Sequence, residues 1–385
     1  MSPRIPFHRP SIGEEEIAEV VDTLRSGWLT TGPKVRKFER AFAEYIGASH
    51  AVAVNSCTAA LHLALDAIGI RAADEVIVPT YTFTATGEVV TYLGARPILA
   101  DSGDSGFHVS AQTVEPRITP RTKAIVVVHF AGESCDMDPL LELSRQHGIP
   151  VVEDAAHAFP ATYKGRMVGT LGDLATFSFY ATKTISTGEG GMLTMARADW
   201  EARARTMALH GMSHDAWKRY APGGNWYYEV EDFGFKYNMT DLAAAIGIHQ
   251  LRRAEEFQKR RREIALAYTE ALRQLDVCEV PLEAGYGTHA WHLYPLRLNL
   301  DTLRADRAKF IQRLGERDVA TSVHFIPLHH HPAYRRAFGY NPGDFPAADR
   351  AFGRVVSLPI YPAMTDEDVS QVIQVVTETA LELRR

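Results

Sequence analysis

The chain of 385 residues carries 41 Lys and Arg against 47 Asp and Glu, a formal net charge of −6, with 46% hydrophobic and 23% charged residues. That balance supports a sizeable globular core and excludes a basic wrap for nucleic acid or an anionic membrane. Three scattered cysteines (Cys57, Cys135, Cys278) exclude a disulfide framework and a zinc ribbon.

The opening segment MSPRIPFHRPSIGEEE is broken by proline and charged, unlike a secretory leader. The most apolar stretch, Ala124 to Val128, is far short of the roughly 20 residues a membrane helix needs. A soluble cytoplasmic protein is expected, with residues 1–25 forming an N-terminal arm. From about His50, short β-branched runs alternate with helical stretches: AVAVNS before TAALHLALDAIGI, EVIVPT before TATGEVVTYLGA, then RPILADS, KAIVVVHF, MDPLLELSRQHG and IPVVEDA. Continuous apolar strands separated by helices predict a mainly parallel sheet covered on both faces. TFSFYA and GMLTMA follow as strands with no helix between them, which predicts a mixed sheet.

Around Met239 the pattern becomes one long helical tract, opened by a Thr240 or Asp241 cap and running to about Leu275. Strands HLYPLRL, ATSVHFIP and VVSLPI follow, with two helices. The last of these puts Val369, Val372, Ile373 and Val376 on one face. The expected organisation is a large α/β domain over 26–245 and a smaller α+β domain over 246–385.

Four segments hold chemistry-bearing side chains. In VVEDAAHA, Asp154 stands at the C-terminal end of a buried strand, where open α/β sheets place ligand groups, and His157 can reach the same ligand. A helix cap and a core histidine account for the pair equally well. In FSFYATKTISTGEGGM, Lys183 follows an apolar strand. A desolvated lysine becomes a free amine able to form a Schiff base, whereas a lone loop lysine is ordinarily a solvated charge. Ser178 offers a hydroxyl to a phosphate. In VNSCTAALHLAL, Ser56, Thr58 and the first helical amides form an anion site or a plain cap. In PTYTFTAT, Phe83 or Tyr81 lies against a planar ring or packs in the core.

A phosphate cradle, an aromatic face, a buried Asp and an amine together are what pyridoxal 5′-phosphate needs. The segments GWLTTGP, SCTAALHLAL, DEVIVPTYTFTAT, ITPRTKAIVVVHFAG, VEDAAHAFPATYKGR, FSFYATKTISTGEGG, GFKYNMTDLAAAIG and HAWHLYPLRL, in this order, resemble the sugar-nucleotide aminotransferases of the fold-type I pyridoxal phosphate enzymes. Three of them, GWLTTGP, AAHA and FKYNMTD, are most similar to the members that make UDP-4-amino-4-deoxy-L-arabinose. The resemblance implies an aspartate aminotransferase-like fold: a large, mostly parallel sheet domain and a smaller α+β domain. It also implies that Lys183 carries the cofactor, that Asp154 pairs its pyridinium nitrogen and that His157 touches its phenolic side. Phe83 is expected to stack on the ring, while Thr58, the Ala59 backbone and Ser178 face the phosphate.

By the same resemblance, a neighbouring subunit of a homodimer contributes Lys236 or Asn238 to the phosphate. The family commonly has Asn-Tyr-Arg where this chain has Lys236-Tyr237-Asn238. Trp28, Thr30, Thr31, His324 and His329 match positions near the sugar nucleotide. The implied reaction transfers an amino group from L-glutamate, releasing 2-oxoglutarate, to a nucleotide-linked 4-keto sugar for lipopolysaccharide or another polysaccharide. A cyclitol ketone or an antibiotic deoxysugar would use the same chemistry. Lys183 argues against a related sugar dehydratase, in which His replaces the lysine, and against a non-catalytic binding protein. The run His329-His330-His331 has no carboxylate or cysteine at ligand spacing, so no metal site is expected.

Overall fold

The computed structural model describes residues 5–103, 106–212 and 227–385. Nine strands arise in its first 195 residues: β1 (His50–Val54), β2 (Glu75–Pro79), β3 (Arg96–Ala100), β4 (Thr122–Val128), β5 (Val151–Asp154), β6 (Thr162–Tyr163), β7 (Arg166–Met167), β8 (Leu174–Ser178) and β9 (Gly191–Met195). Seven of them form one sheet in the order β1-β9-β8-β5-β4-β2-β3, while β6 and β7 pair separately. Strand β9 runs antiparallel to both its neighbours, β1 and β8, and the remaining pairs are parallel. The mixed sheet expected from the sequence is therefore present.

Side chains alternate across this sheet, as strand geometry requires. Ile125 and Val127 of β4 pack on one face with Phe42 and Leu140. Ala124 and Val126 pack on the other with Leu61 and Leu65. Both faces being covered explains why the strands read as unbroken apolar runs. A three-stranded antiparallel sheet, β10 (Cys278–Glu279), β11 (Tyr294–Leu298) and β12 (Val355–Leu358), organises the third core. Val369, Val372 and Val376 of the last helix, Asp366–Leu383, are buried there, with Ile373 packed at the margin.

Three expectations change. The tract after Met239 is two helices, Asp241–Arg252 and Ala254–Leu272, broken at Arg253, with Thr240 Oγ1 capping the first by accepting from the Ala243 amide. No glycine or proline announces the break. Tertiary contacts sit at it instead: a hydrogen bond from His249 to Glu19 at 3.0 Å and an ion pair from Arg253 to Glu16 at 3.4 Å, both acids on helix Glu14–Ser26. ATSVHFIP is not a strand; it touches the small sheet through a single bridge, Ser322 to Ser357. The C-terminal part holds four helices rather than two after β11, because Pro332–Phe338 and Pro346–Arg354 are short, proline-started turns without a long periodic stripe. Among the described residues no helix is long and apolar enough to cross a membrane.

Glu153, inside β5, is fully buried and accepts from His129 Nε2 (2.9 Å) and the amides of Gly169 (2.9 Å), Leu171 (2.9 Å) and Gly172 (2.7 Å). The Cys135 amide donates to His129 Nδ1, so Nε2 carries the proton toward Glu153. Burial opposes the charge, and these donors more than offset it, holding the carboxyl below its ordinary range. Glu153→Ala, which orphans them, is expected to cost on the order of 3–5 kcal/mol in denaturant unfolding. A loss within error would contradict this role.

Candidate active site

Strands β1, β2, β4, β5 and β8 run the same way, so the segments that follow them emerge on one edge of the sheet. That edge is where open α/β sheets hold ligands. It gathers Ser56–Ala59, Thr80–Thr86, His129–Gly132, Asp154–His157 and Ser178–Lys183.

Asp154 is buried at the last position of β5. Its Oδ2 accepts from Thr86 Oγ1 at 2.8 Å, and its Oδ1 accepts from the Ala156 amide at 3.2 Å. Burial pushes its pKa up, opposed by those two donors and by the charge of Lys183. Lys183 is half-buried, and its pKa is drawn down to about 8, mainly by desolvation; Cys57 and Asp154 pull the other way. At pH 7 about one amine in ten is then neutral, whereas a solvated lysine is almost wholly protonated.

His157 accepts from the Ala131 amide at 3.3 Å through Nδ1, and its ring centre lies 4.4 Å from that of His292 and 5.5 Å from that of Phe325. Burial holds it well below its ordinary pKa, so it is a neutral imidazole. Phe83 is 56% exposed and packs at 5.8 Å on Phe325. Tyr81 is fully buried with its hydroxyl on the His324 carbonyl. Of the two aromatics, only Phe83 offers a free face.

The helix Cys57–Ile68 begins beside Ser178 because Ser178 pairs with Gly191, and Gly191 lies against the Ser56–Cys57 backbone. A Cβ at Gly191 would sit 2.5 Å from the Ser56 carbonyl, so only glycine permits this approach. Ala59, expected to turn its amide outward, donates to Ser56 Oγ at 3.1 Å instead. The amides of Cys57 and Thr58, with the Thr58 and Ser178 hydroxyls, are left at the helix start. The donor set fits pyridoxal phosphate: a buried carboxylate for a ring nitrogen, a desolvated amine for an aldehyde, helix amides for a phosphate and an aromatic face for the ring.

Trp28, Thr30 and Thr31 fall in a second cluster with Lys236 and Asn238. Trp28 Nε1 donates to the Thr31 carbonyl (3.0 Å), Thr31 Oγ1 to the Met239 carbonyl (2.6 Å), and Asn238 Nδ2 to Thr31 Oγ1 (2.6 Å). Thr30 accepts from the Asp241 amide, and Lys236 Nζ donates to Asn238 Oδ1 at 2.6 Å. Among the described residues no direct hydrogen bond or ion pair links this cluster to Asp154, His157 or Lys183.

His324 belongs to the first cluster. It stacks on Phe7 at 5.5 Å, bonds Ser357 Oγ at 2.9 Å, and is held near pKa 4 by burial and then by the Lys183 charge. His329 does not belong there. It is fully buried, with Nδ1 on Thr80 Oγ1 (2.7 Å) and Nε2 on Asp349 Oδ1 (2.9 Å), so both nitrogens are spent inside the fold and neither can meet a substrate. The carboxylate that sequence spacing did not show beside the histidine run is Asp349, brought in by helix Pro346–Arg354; it also binds His330 Nε2 at 2.6 Å.

Sequence reasoning missed Thr86, whose only signal was its place in a strand-to-helix turn. It also missed His8 and His292 beside the amine. Arg261 was hidden in the charge run QKRRRE. Its spacing to Phe257, Ile264, Ala265 and Tyr268 on the buried helix face was the available signal.

The DegT/DnrJ/EryC1/StrS aminotransferase family model matches residues 10–377. The spore coat polysaccharide biosynthesis protein SpsC of Bacillus subtilis is 50% identical over 375 residues, 97% of this chain and 96% of that protein. The structure of the aminotransferase TlmJ from Streptoalloteichus hindustanus superposes with a TM-score of 0.90 at 36% identity, covering 98% of this chain and 99% of that one. The pyridoxal phosphate form of Spr1654 from Streptococcus pneumoniae superposes with a TM-score of 0.91 at 33% identity, with 98% and 99% covered.

The lowered Lys183 pKa has a direct readout. In cofactor-free protein, reductive methylation of Lys183 by formaldehyde, followed by peptide mass spectrometry, should rise with pH to a midpoint near 8. A midpoint near that of free lysine, roughly 10.4, would contradict a desolvated amine.

Proposed function

The chain belongs to the DegT/DnrJ/EryC1/StrS aminotransferase family, a pyridoxal phosphate-dependent family, and from that premise we propose that it moves the amino group of L-glutamate onto the ketone of a nucleotide-linked sugar, with C4 as the carbon. The observation that carries this reading is the desolvated Lys183 amine beside the buried Asp154 carboxylate. Support for a sugar as acceptor comes from SpsC, named for polysaccharide biosynthesis, and from the Helicobacter pylori aminotransferase PseC, which acts in pseudaminic acid biosynthesis, has 26% identity and superposes with a TM-score of 0.92.

When bound, the cofactor supplies an aldehyde carbon that accepts nitrogen and a ring that takes up the electron pair of a breaking Cα–H bond. In this reading Lys183 anchors it, then, as the free amine, removes the proton from the donor Cα and later delivers one to the sugar carbon. Asp154, oriented by Thr86, holds a proton at the ring nitrogen. His157, neutral, hydrogen-bonds the phenolic oxygen; Phe83 covers one ring face; and Thr58, Ser178 and the Cys57 and Thr58 amides bind the phosphate. His324 lies on the sugar side.

The second cluster, Trp28, Thr30, Thr31, Lys236 and Asn238, serves the partner subunit's site in a homodimer. Exposed Trp28, Leu29, Tyr227, Tyr228 and Phe233 support burial of this surface between copies. Sedimentation equilibrium should give twice the 42.7 kDa chain mass, and a monomer would contradict the shared site. We place the enzyme in the cytoplasm, in keeping with the lack, among the described residues, of a helix long and apolar enough to cross a membrane.

Purified protein assayed with glutamate against UDP-, dTDP- and GDP-linked keto sugars should form an amino sugar from at least one. Lys183→Ala should abolish both the visible absorption band and turnover. Asp154→Ala should keep some cofactor but lose on the order of 10³ in turnover. Near-normal turnover in either variant would refute the assignment.

A further inference from the structure

Among the described residues, ten buried side-chain nitrogen and oxygen atoms lack a hydrogen-bond partner, and four of them adjoin the Lys183 site: Arg261 Nε, Arg261 Nη2, His292 Nδ1 and His8 Nε2. Arg261 is fully buried on helix Ala254–Leu272. Its Nη1 donates to three backbone carbonyls: Ile360 at 2.9 Å, Trp291 at 3.1 Å and His292 at 3.4 Å. These fix the guanidinium but leave its charge without an anion, since no carboxylate stands within ion-pair distance of it among the described residues. An arginine stays protonated, and a buried unpaired cation is costly.

The two idle nitrogens form one edge. Nε–H and Nη2–H point the same way and make the side-on fork that grips a carboxylate with two parallel bonds. The same chain uses that fork elsewhere: Arg203 holds Asp66 with Nε at 2.7 Å and Nη2 at 3.0 Å. At Arg261 the fork is formed and the carboxylate is not supplied by the protein.

The surroundings suit a small anion at the reacting centre. The His292 ring lies 4.4 Å from that of His157, which places Arg261 one residue from the site wall. His8 lies on a strap of the N-terminal arm. The strap is tied at Ile5, whose amide donates to the Asp318 carbonyl at 2.8 Å, and at Ser11, whose carbonyl accepts from Gln250 at 2.8 Å. Between these ties Phe7 covers His324, and His8 packs against Tyr361 at 5.8 Å. The groups facing this corner are Arg261, His8, His292, His157, His324, Lys183 and Tyr361, and the carboxylate beside them, Asp154, lies at Lys183 and accepts from Thr86 and the Ala156 amide rather than from Arg261. Burial and then the Arg261 charge hold His8 near pKa 4, against a hydrogen bond to the Ala181 backbone, so it is a neutral imidazole.

We propose that Arg261, with His8 and His292, forms the subsite for the carboxylate of the amino-acid donor, under the strap formed by residues 5–11. This rests on the aminotransferase reading and goes beyond it by naming the donor's contacts. A carboxylate entering beneath the strap gains the side-on fork from Arg261 and an N–H from His292, with neutral His8 lining the subsite and the strap closing over it. The sugar's diphosphate is the other source of anionic oxygen at this enzyme, and since an arginine fork grips either anion, the two ligands are titrated side by side.

The test titrates holoenzyme by calorimetry with glutarate, an unreactive dicarboxylate, and in parallel with UDP. Arg261→Lys keeps the charge and loses the fork. It should weaken glutarate at least tenfold and raise KM for glutamate with kcat little changed, leaving UDP affinity as in the unaltered enzyme. Should Arg261→Lys not fold, His8→Asn, on the strap outside the core, carries the test, with an expected loss of about threefold for glutarate alone. Unchanged glutarate affinity in the folded variant overturns the proposal, and so does a loss confined to UDP. An enzyme that binds cofactor yet transaminates with no amino acid overturns the functional reading instead; glutarate binding then still decides whether the corner takes carboxylates.

Discussion

A lysine amine removed from water beside a buried carboxylate is the constraint on which this molecule's chemistry depends. Either group alone would be ruinous: an isolated ammonium or carboxylate in the interior neutralises or unfolds its surroundings. Here the two share one edge of the sheet, Asp154 steadied by Thr86 and Lys183 shifted toward its neutral form. The pair stays under tension, and a ligand with a basic ring nitrogen and an electrophilic carbon relieves it at both ends.

The sheet order makes the pairing possible. Because β5 and β8 are parallel neighbours, the residues that follow them leave at the same edge, and the reversed β9 brings Gly191 back against the start of helix Cys57–Ile68. Amine, acid and helix amides come together through backbone direction alone. Glu153 and His129, one layer inward, pin the strand that presents Asp154, so a buried network supports the acid in addition to its own bonds to Thr86 and Ala156.

Much of this was legible in the residue order. Strands buried on both faces show as unbroken β-branched runs, and the four chemistry-bearing segments follow strands as ligand segments do. The family resemblance then tied them into one site. What was not legible depends on contacts between distant segments. The helix break at Arg253 coincides with the contact from Glu16, far away in sequence. His329 is withdrawn from any substrate because Asp349 and Thr80 close on it from two other elements. Arg261 sits in a string of charges that resembles a solvated face, and only its register with Phe257 and Ile264 marks it as buried. Ala59 spends its amide on a cap, which a sequence pattern cannot distinguish from a free donor.

The arm and the small sheet add what the large sheet lacks. From one side the sheet supplies an amine, an acid and a phosphate cradle; from the other, helix Ala254–Leu272 and the strap of residues 5–11 supply an unneutralised guanidinium and imidazoles. The most direct measurement of the central claim is borohydride reduction of the purified holoenzyme followed by peptide mapping. The account predicts a single pyridoxyl group on Lys183. A label on another lysine, or none on protein shown to hold the cofactor, would contradict it.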